Sequence, residues 1–159
     1  MKVTSSGVLE AATKPRHRNA AVRLGQLAGR WRVEGQVAAT EHGPASQWKS
    51  QEQAEWLPGE AFLVHQWDAQ VGERPFRGMA VFGCDEHDGY FANFYTDGGD
   101  HPTYLVTIDE DTWTLTGEAQ RATYAFGDDG RSIAIRWETR GEEGWQPLCE
   151  LRARRMDAH

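Results

Sequence analysis

The stretch "LAGRWRVEG", Leu27 to Gly35, holds the reading of the fold. Before it lies a segment of helical period, in which Ala20, Leu24 and Leu27 fall at i, i+4 and i+7, opened by Pro15 in a first-turn position. After Gly29 that period disappears. Trp31, Val33, Gly35 and Val37 now alternate with Arg32, Glu34 and Gln36, the period of two that a half-buried strand requires. The stretch therefore predicts one short N-terminal helix and a switch to strand that is not reversed.

Downstream, turn chemistry recurs in short clusters such as "EHGPAS", "LPGE", "VGERP", "TDGGDHP", "GDDG" and "RGEEG". Glycine supplies positive φ, proline fixes φ, and Asp or Asn bonds back to its own backbone. Between them stand ten runs of strand character, near 30–40, 46–57, 60–70, 75–85, 90–97, 102–108, 111–118, 121–127, 131–139 and 145–155. Loops this short join antiparallel neighbours, not parallel strands through crossovers. Ten strands in an open sheet would leave two edges free to pair with other chains, and closure removes them. The expected fold is all-β: an antiparallel up-and-down β-barrel of about ten strands with a short N-terminal helix. Residues 1–14 are expected to form a mobile tail, and residues 15–159 a single barrel domain.

The alternation assigns faces. Trp48, Ser50, Glu52, Ala54 and Trp56 share the inward phase of the second run, Ile133, Ile135 and Trp137 that of the ninth, and Cys149, Leu151, Ala153 and Arg155 that of the tenth. The third and fifth runs are apolar on both faces, with Phe62 and Val64 against Leu63, His65 and Trp67, and Tyr90 and Phe94 against Phe91 and Tyr95. A covering helix or a second copy of the chain would account for that, so a homodimer is one expectation.

Composition narrows the function. A net charge of −7 over 159 residues argues against nucleic acid and against an anionic membrane surface. No run approaches the roughly 18 apolar residues of a membrane span, and "MKVTSSGVLEAATKP" lacks the apolar core of a leader, which points to the cytoplasm. Cys84 and Cys149 stand far apart outside any CxxC pattern, so free thiols are expected and no metal site. No motif demands a cofactor, and no Ser-His-Asp order, Walker loop, Rossmann glycine pattern or HExxH is present.

The informative polar residue is Glu52, whose phase sets it between Trp48 and Trp56 on an otherwise apolar face. An unpaired carboxylate there is costly, so Glu52 either anchors a ligand's amine or hydroxyl, works as an acid/base, or is paired with an inward cation. His65, between Leu63 and Trp67, is the second candidate. Tyr95, Tyr104 and Tyr124 would line an aromatic cavity with Trp48, Trp56 and Trp137, or simply fill it. Asp97, Asp100 and His101 in "YTDGGDHPTY" read as a turn at a barrel mouth, or as metal ligands. Three functions follow: a barrel binding a small, largely apolar molecule; a cofactor-independent isomerase or cyclase using Glu52 and His65; or an oligomerising domain with a filled lumen.

A helix, then Gly29-x-Trp31 opening the first strand, then a basic residue closing the last, resembles the signature of the calycins, the lipocalins and their relatives. That resemblance implies that Trp31 plugs one end and an arginine lies over it, and phase makes the arginine Arg155, not Arg154. "LAGRWRVEG", "WLPGEAFLVHQW", "RPFRGMAVFGCDEHDGYFANFY", "DEDTWTLTGE" and "CELRARR" resemble a bacterial lipocalin-like family carrying a domain-of-unknown-function name, from about Leu24 to Arg155. Cys84 departs from the aromatic usual before Asp85 in that family. Nitrobindin-like haem barrels resemble the same architecture but need an axial histidine late in the chain. After His101 only His159 remains, so haem is not expected, with His65 and His101 the only possible ligands.

Overall fold

The computed structural model describes residues 21–41, 43–85 and 89–156. The tail expected over residues 1–14, and Ala20 of the helical face, lie outside the described residues. Residues 21–24 are helical and pass into a 3₁₀ turn, Gly25–Leu27, in which Leu24 and Leu27 are buried.

Ten strands follow: β1 Gly29–Val37, β2 Ser46–Trp56, β3 Leu63–Val71, β4 Arg74–Cys84, β5 Tyr90–Thr96, β6 Thr103–Asp109, β7 Thr112–Thr116, β8 Gln120–Phe126, β9 Ser132–Gly141 and β10 Gly144–Arg155. Each pairs antiparallel with its sequence neighbours, and β1 also pairs with β10, so the sheet closes into a ten-stranded barrel. Every ladder bond is thus made within the ring, leaving no free edge.

Register turns the alternation into depth. In the β2–β3 pair Trp48 faces Val71, Glu52 faces Trp67 and Ala54 faces His65. The β3 side chains that point inward are Leu63, His65, Trp67 and Ala69, while in β5 they are Ala92 and Phe94. Both ambiguous strands therefore resolve, and their second apolar face is left outside, where Phe62 is 40 % and Tyr95 46 % exposed. One irregularity interrupts β10: the register shifts between Pro147 and Cys149, a bulge. Among the tryptophans, Trp145 faces outward, with the guanidinium carbons of Arg121 and Arg140 4.4 and 4.6 Å from its ring centroid.

The end reached by the N-terminal turn is packed solid. Trp31 and Trp113 are fully buried, with Leu24, Leu63, Phe82 and Ile133 around them. Trp31 donates its indole N–H to the Leu27 carbonyl at 2.8 Å. Burial of side chains of this size contributes roughly 1.5–3 kcal/mol each, which fixes the turn against the barrel floor.

Candidate functional site

The opposite end is open. A cavity of about 540 Å³ runs inward from a mouth formed by Asp100, His101 and Pro102 of the β5–β6 turn. That lies within the roughly 300–1,000 Å³ of sites that hold small organic molecules. A larger concavity, about 870 Å³, lies outside the barrel on β1, β2 and β10 between Arg32, Glu34, Lys49, Arg152 and Arg154. Charged and amide side chains make up most of its lining, and neither Glu52 nor His65 reaches it, so the lumen is the candidate site.

Its wall is a belt of interlocking rings. Trp48 meets Phe76 at 5.7 Å between centroids, Phe76 meets Trp67 at 5.7 Å, and Trp67 meets Phe94 at 5.8 Å. Phe94 then contacts Tyr104 at 4.9 Å and Trp137 at 5.7 Å. Most of these meetings are tilted or edge-to-face, the geometry ring quadrupoles favour. Room for the belt is made on the backbone: a Cβ at Gly78 would run into the Trp67 indole.

A hydrogen-bonded polar ladder climbs one side. The Trp48 indole N–H donates to Ser50 Oγ at 2.9 Å, and the Ser50 hydroxyl donates to Glu52 Oε2 at 2.5 Å. His65 Nε2 lies 2.7 Å from Glu52 Oε1, and the two side chains are only 8 % and 9 % exposed. This pairing solves the problem the buried carboxylate raised, since each oxygen has one protein donor. Its ionisable partner is an imidazole and not an arginine. His65 Nδ1 and the Trp67 indole nitrogen are buried with no hydrogen-bond partner among the described residues. Leaving such groups unmatched costs about 1–3 kcal/mol each.

Across the lumen, burial and then the charge on Glu52 push the Tyr124 phenol far above its ordinary value. Burial pushes Tyr104 up to about 12 and the Cys149 thiol up to about 12. All three stay protonated at neutral pH. The two phenols are hydrogen-bond donors and not anions.

Trp48, Glu52, His65, Tyr104, Tyr124 and Trp137 all line the cavity. Two sequence expectations are corrected. Tyr95 belongs to the outward phase of β5 and is exposed, because the register that pairs Ala80 with Phe94 gives the lumen to Phe94 instead. Trp56 has the inward phase but the wrong depth: it lies at the closed end, its ring 3.9 Å from where a Gly25 Cβ would stand. Asp97 is taken up by the turn, its carboxylate accepting the Arg77 N–H at 3.0 Å, whereas Asp100 and His101 reach the mouth. Ser50, Trp67, Phe76 and Cys149 were not foreseen as site residues. The phase of Ser50 with Glu52 and of Trp67 with His65 was the available signal.

At the closed end the Arg155 guanidinium carbon stands 4.3 Å from the Trp31 ring centroid. Its nitrogens donate to the carbonyls of Ala28 at 2.6 Å, Gly130 at 3.0 Å and Gln26 at 3.1 Å. Desolvation, and then the neighbouring Arg131 charge, pull this guanidinium below its ordinary value. Gly29, with φ of 123°, lies directly beneath it, and a Cβ there would collide with the guanidinium. Cys84 and Cys149 form no disulfide among the described residues. No group of three or more metal-ligating side chains is found among the described residues, nor a helix long and apolar enough to cross a membrane.

Solved structures share the barrel. Rv2717c from M. tuberculosis superposes with a TM-score of 0.66 at 13 % identity, over 91 % of this chain and 99 % of that one. The S-type phycobiliprotein lyase CPES from Guillardia theta gives 0.58 at 11 % identity, over 85 % and 91 %. At such identities the likeness is one of fold. A search of curated proteins finds no match. Residues 16–144 match the protein family of unknown function DUF1579, and the chain belongs to that family.

Proposed function

We propose that the protein is a lipocalin-like, calycin-type barrel that binds a small, largely apolar molecule in its lumen. One observation carries the reading: a cavity of about 540 Å³ stays open inside a ring of aromatic side chains, with a hydrogen-bonded carboxylate in its wall. A barrel filled for structure alone would spend those rings on closing the space. Apolar walls supply affinity and a few fixed polar groups supply orientation. Cysteines left out of any disulfide, as Cys84 and Cys149 are, suit a reducing compartment such as the cytoplasm.

The test is to extract and identify what the protein retains when purified gently from its own host, with native mass spectrometry for stoichiometry. Nile red, a neutral apolar dye, provides an independent probe. It brightens on entering the lumen at about one dye per chain, and added apolar ligands displace it. Absence of both a retained molecule and dye binding would overturn the reading.

The 2.7 Å contact between Glu52 and His65 supports a second reading, a cofactor-independent isomerase or cyclase. A carboxylate holding an imidazole in the wall of an aromatic cavity is a means of moving a proton. Glu52→Gln then separates the two. A carrier loses affinity, by about tenfold to a hundredfold for a charge-assisted hydrogen bond of about 1.5–3 kcal/mol. An enzyme loses rate by more than it loses affinity.

A further inference from the structure

The binding reading leaves the charge of the ligand open, and the distribution of ionisable groups around the lumen narrows it. The chain carries 17 lysines and arginines, yet none of the described ones lines the cavity. The formal charges that do reach it are carboxylates, Glu52 in the wall and Asp100 at the mouth, with His65 and His101 as the imidazoles beside them. Seven aromatic residues surround these groups.

A ligand carboxylate or phosphate would enter a low-dielectric space holding Glu52 and no permanent cation, and would be repelled there. A cation meets the opposite conditions. Each Glu52 oxygen accepts one protein hydrogen bond and keeps a further lone-pair position for a ligand N–H. Trp67 stands directly across the β2–β3 ladder from Glu52, and indole is the ring whose face attracts cations best. The strong upward push on Tyr124 comes in part from the Glu52 charge, so that charge is felt across the lumen.

We infer that the lumen takes an organic cation: a protonated amine on an apolar skeleton, its charge held by Glu52 and its body by the aromatic belt. This rests on the binding reading above and specifies its ligand class.

Three compounds of one skeleton test it: 4-phenylbutylamine, 4-phenylbutanol and 4-phenylbutyrate, titrated at pH 7 by calorimetry and by displacement of Nile red. The amine is expected to bind at least tenfold more tightly than the alcohol, with the acid weakest. Glu52→Gln should bring the amine to the level of the alcohol and leave the alcohol within about twofold, which also reports that the variant is folded. Should that variant fail to fold, Asp100→Asn, at the exposed mouth, is expected to lower the preference for the amine about twofold. An amine that binds no better than the alcohol, or a preference that survives Glu52→Gln, overturns the inference. If Nile red binds while the amine shows no preference, the charge assignment alone falls. If neither the dye nor any of the three compounds binds, the binding reading falls with it.

Discussion

Arg155 and Trp31 face each other across the β1–β10 seam as register partners, with the guanidinium over the indole and its nitrogens bonded to three carbonyls outside the strands. The arginine thus ties the 3₁₀ turn, the β8–β9 loop and the barrel floor together. Arg154, one residue earlier, points into solvent.

Arg155→Ala is expected to cost about 2 kcal/mol, from the cation–π contact and the charge-assisted bonds together. In a chain of this size that is a fall in Tm of roughly 4–8 °C, against less than about 2 °C for Arg154→Ala. Calorimetry of the two variants side by side checks it. Equal shifts would show that the seam contact contributes nothing.

Gly29→Ala should destabilise by about 1–3 kcal/mol, because the φ of 123° and the guanidinium both exclude a Cβ. Part of that cost is the collision with Arg155. It should therefore shrink in an Arg155→Ala background, leaving the backbone strain. A double-mutant cycle from denaturant melts measures the coupling, and strict additivity would rule out the collision.

The purified protein is expected to show no Soret band and to gain none on titration with micromolar haem. His65 Nε2 is engaged by Glu52, and Nδ1 is buried. A stoichiometric Soret shift lost on His65→Ala or His101→Ala would contradict this.

Cys149 links the site to alkaline pH. Burial raises its thiol from 9.0 to about 12 in the folded protein. The neutral form is favoured, so its contribution to stability is complete below pH 9.0 and is lost as pH rises toward about 12. Urea melts between pH 8 and 11 should lose stability less steeply in Cys149→Ala than in the parent chain. At pH 8 a disulfide reagent should label Cys84 well before Cys149. Equal labelling rates would show that Cys149 is not buried.

The period of two was enough to find all ten strands and to send Trp48, Ser50 and Glu52 inward, because their opposite neighbours Gln47, Lys49 and Gln51 are unambiguously wet. It failed where both phases are apolar. Phe94 and Tyr95 are adjacent aromatics, and only the β4–β5 register, set by pairing across the sheet, decides which of them enters. Trp56 shows a different limit. Alternation gives the side of a strand and not the height along the barrel, which depends on where the N-terminal turn docks. The Glu52–His65 contact was beyond local reading for the same reason, since it needs the stagger that sets Ala54 against His65. The closing contact of Trp31 with Arg155 was legible through phase and family resemblance, not through proximity in sequence.

The seam between the first and last strands also sets the order of events in folding. Arg155 bonds to a carbonyl 127 residues away in sequence, so the ring cannot shut until the chain between has been laid down strand by strand. A topology closed by its most distant contact has a high contact order and folds slowly. Parting that seam breaks a full ladder and the Arg155 clasp, so the same contact retards unfolding if it forms after the rate-limiting barrier. A molecule seated in the lumen would then leave through the mouth, past Asp100, His101 and Pro102, long before the wall opened.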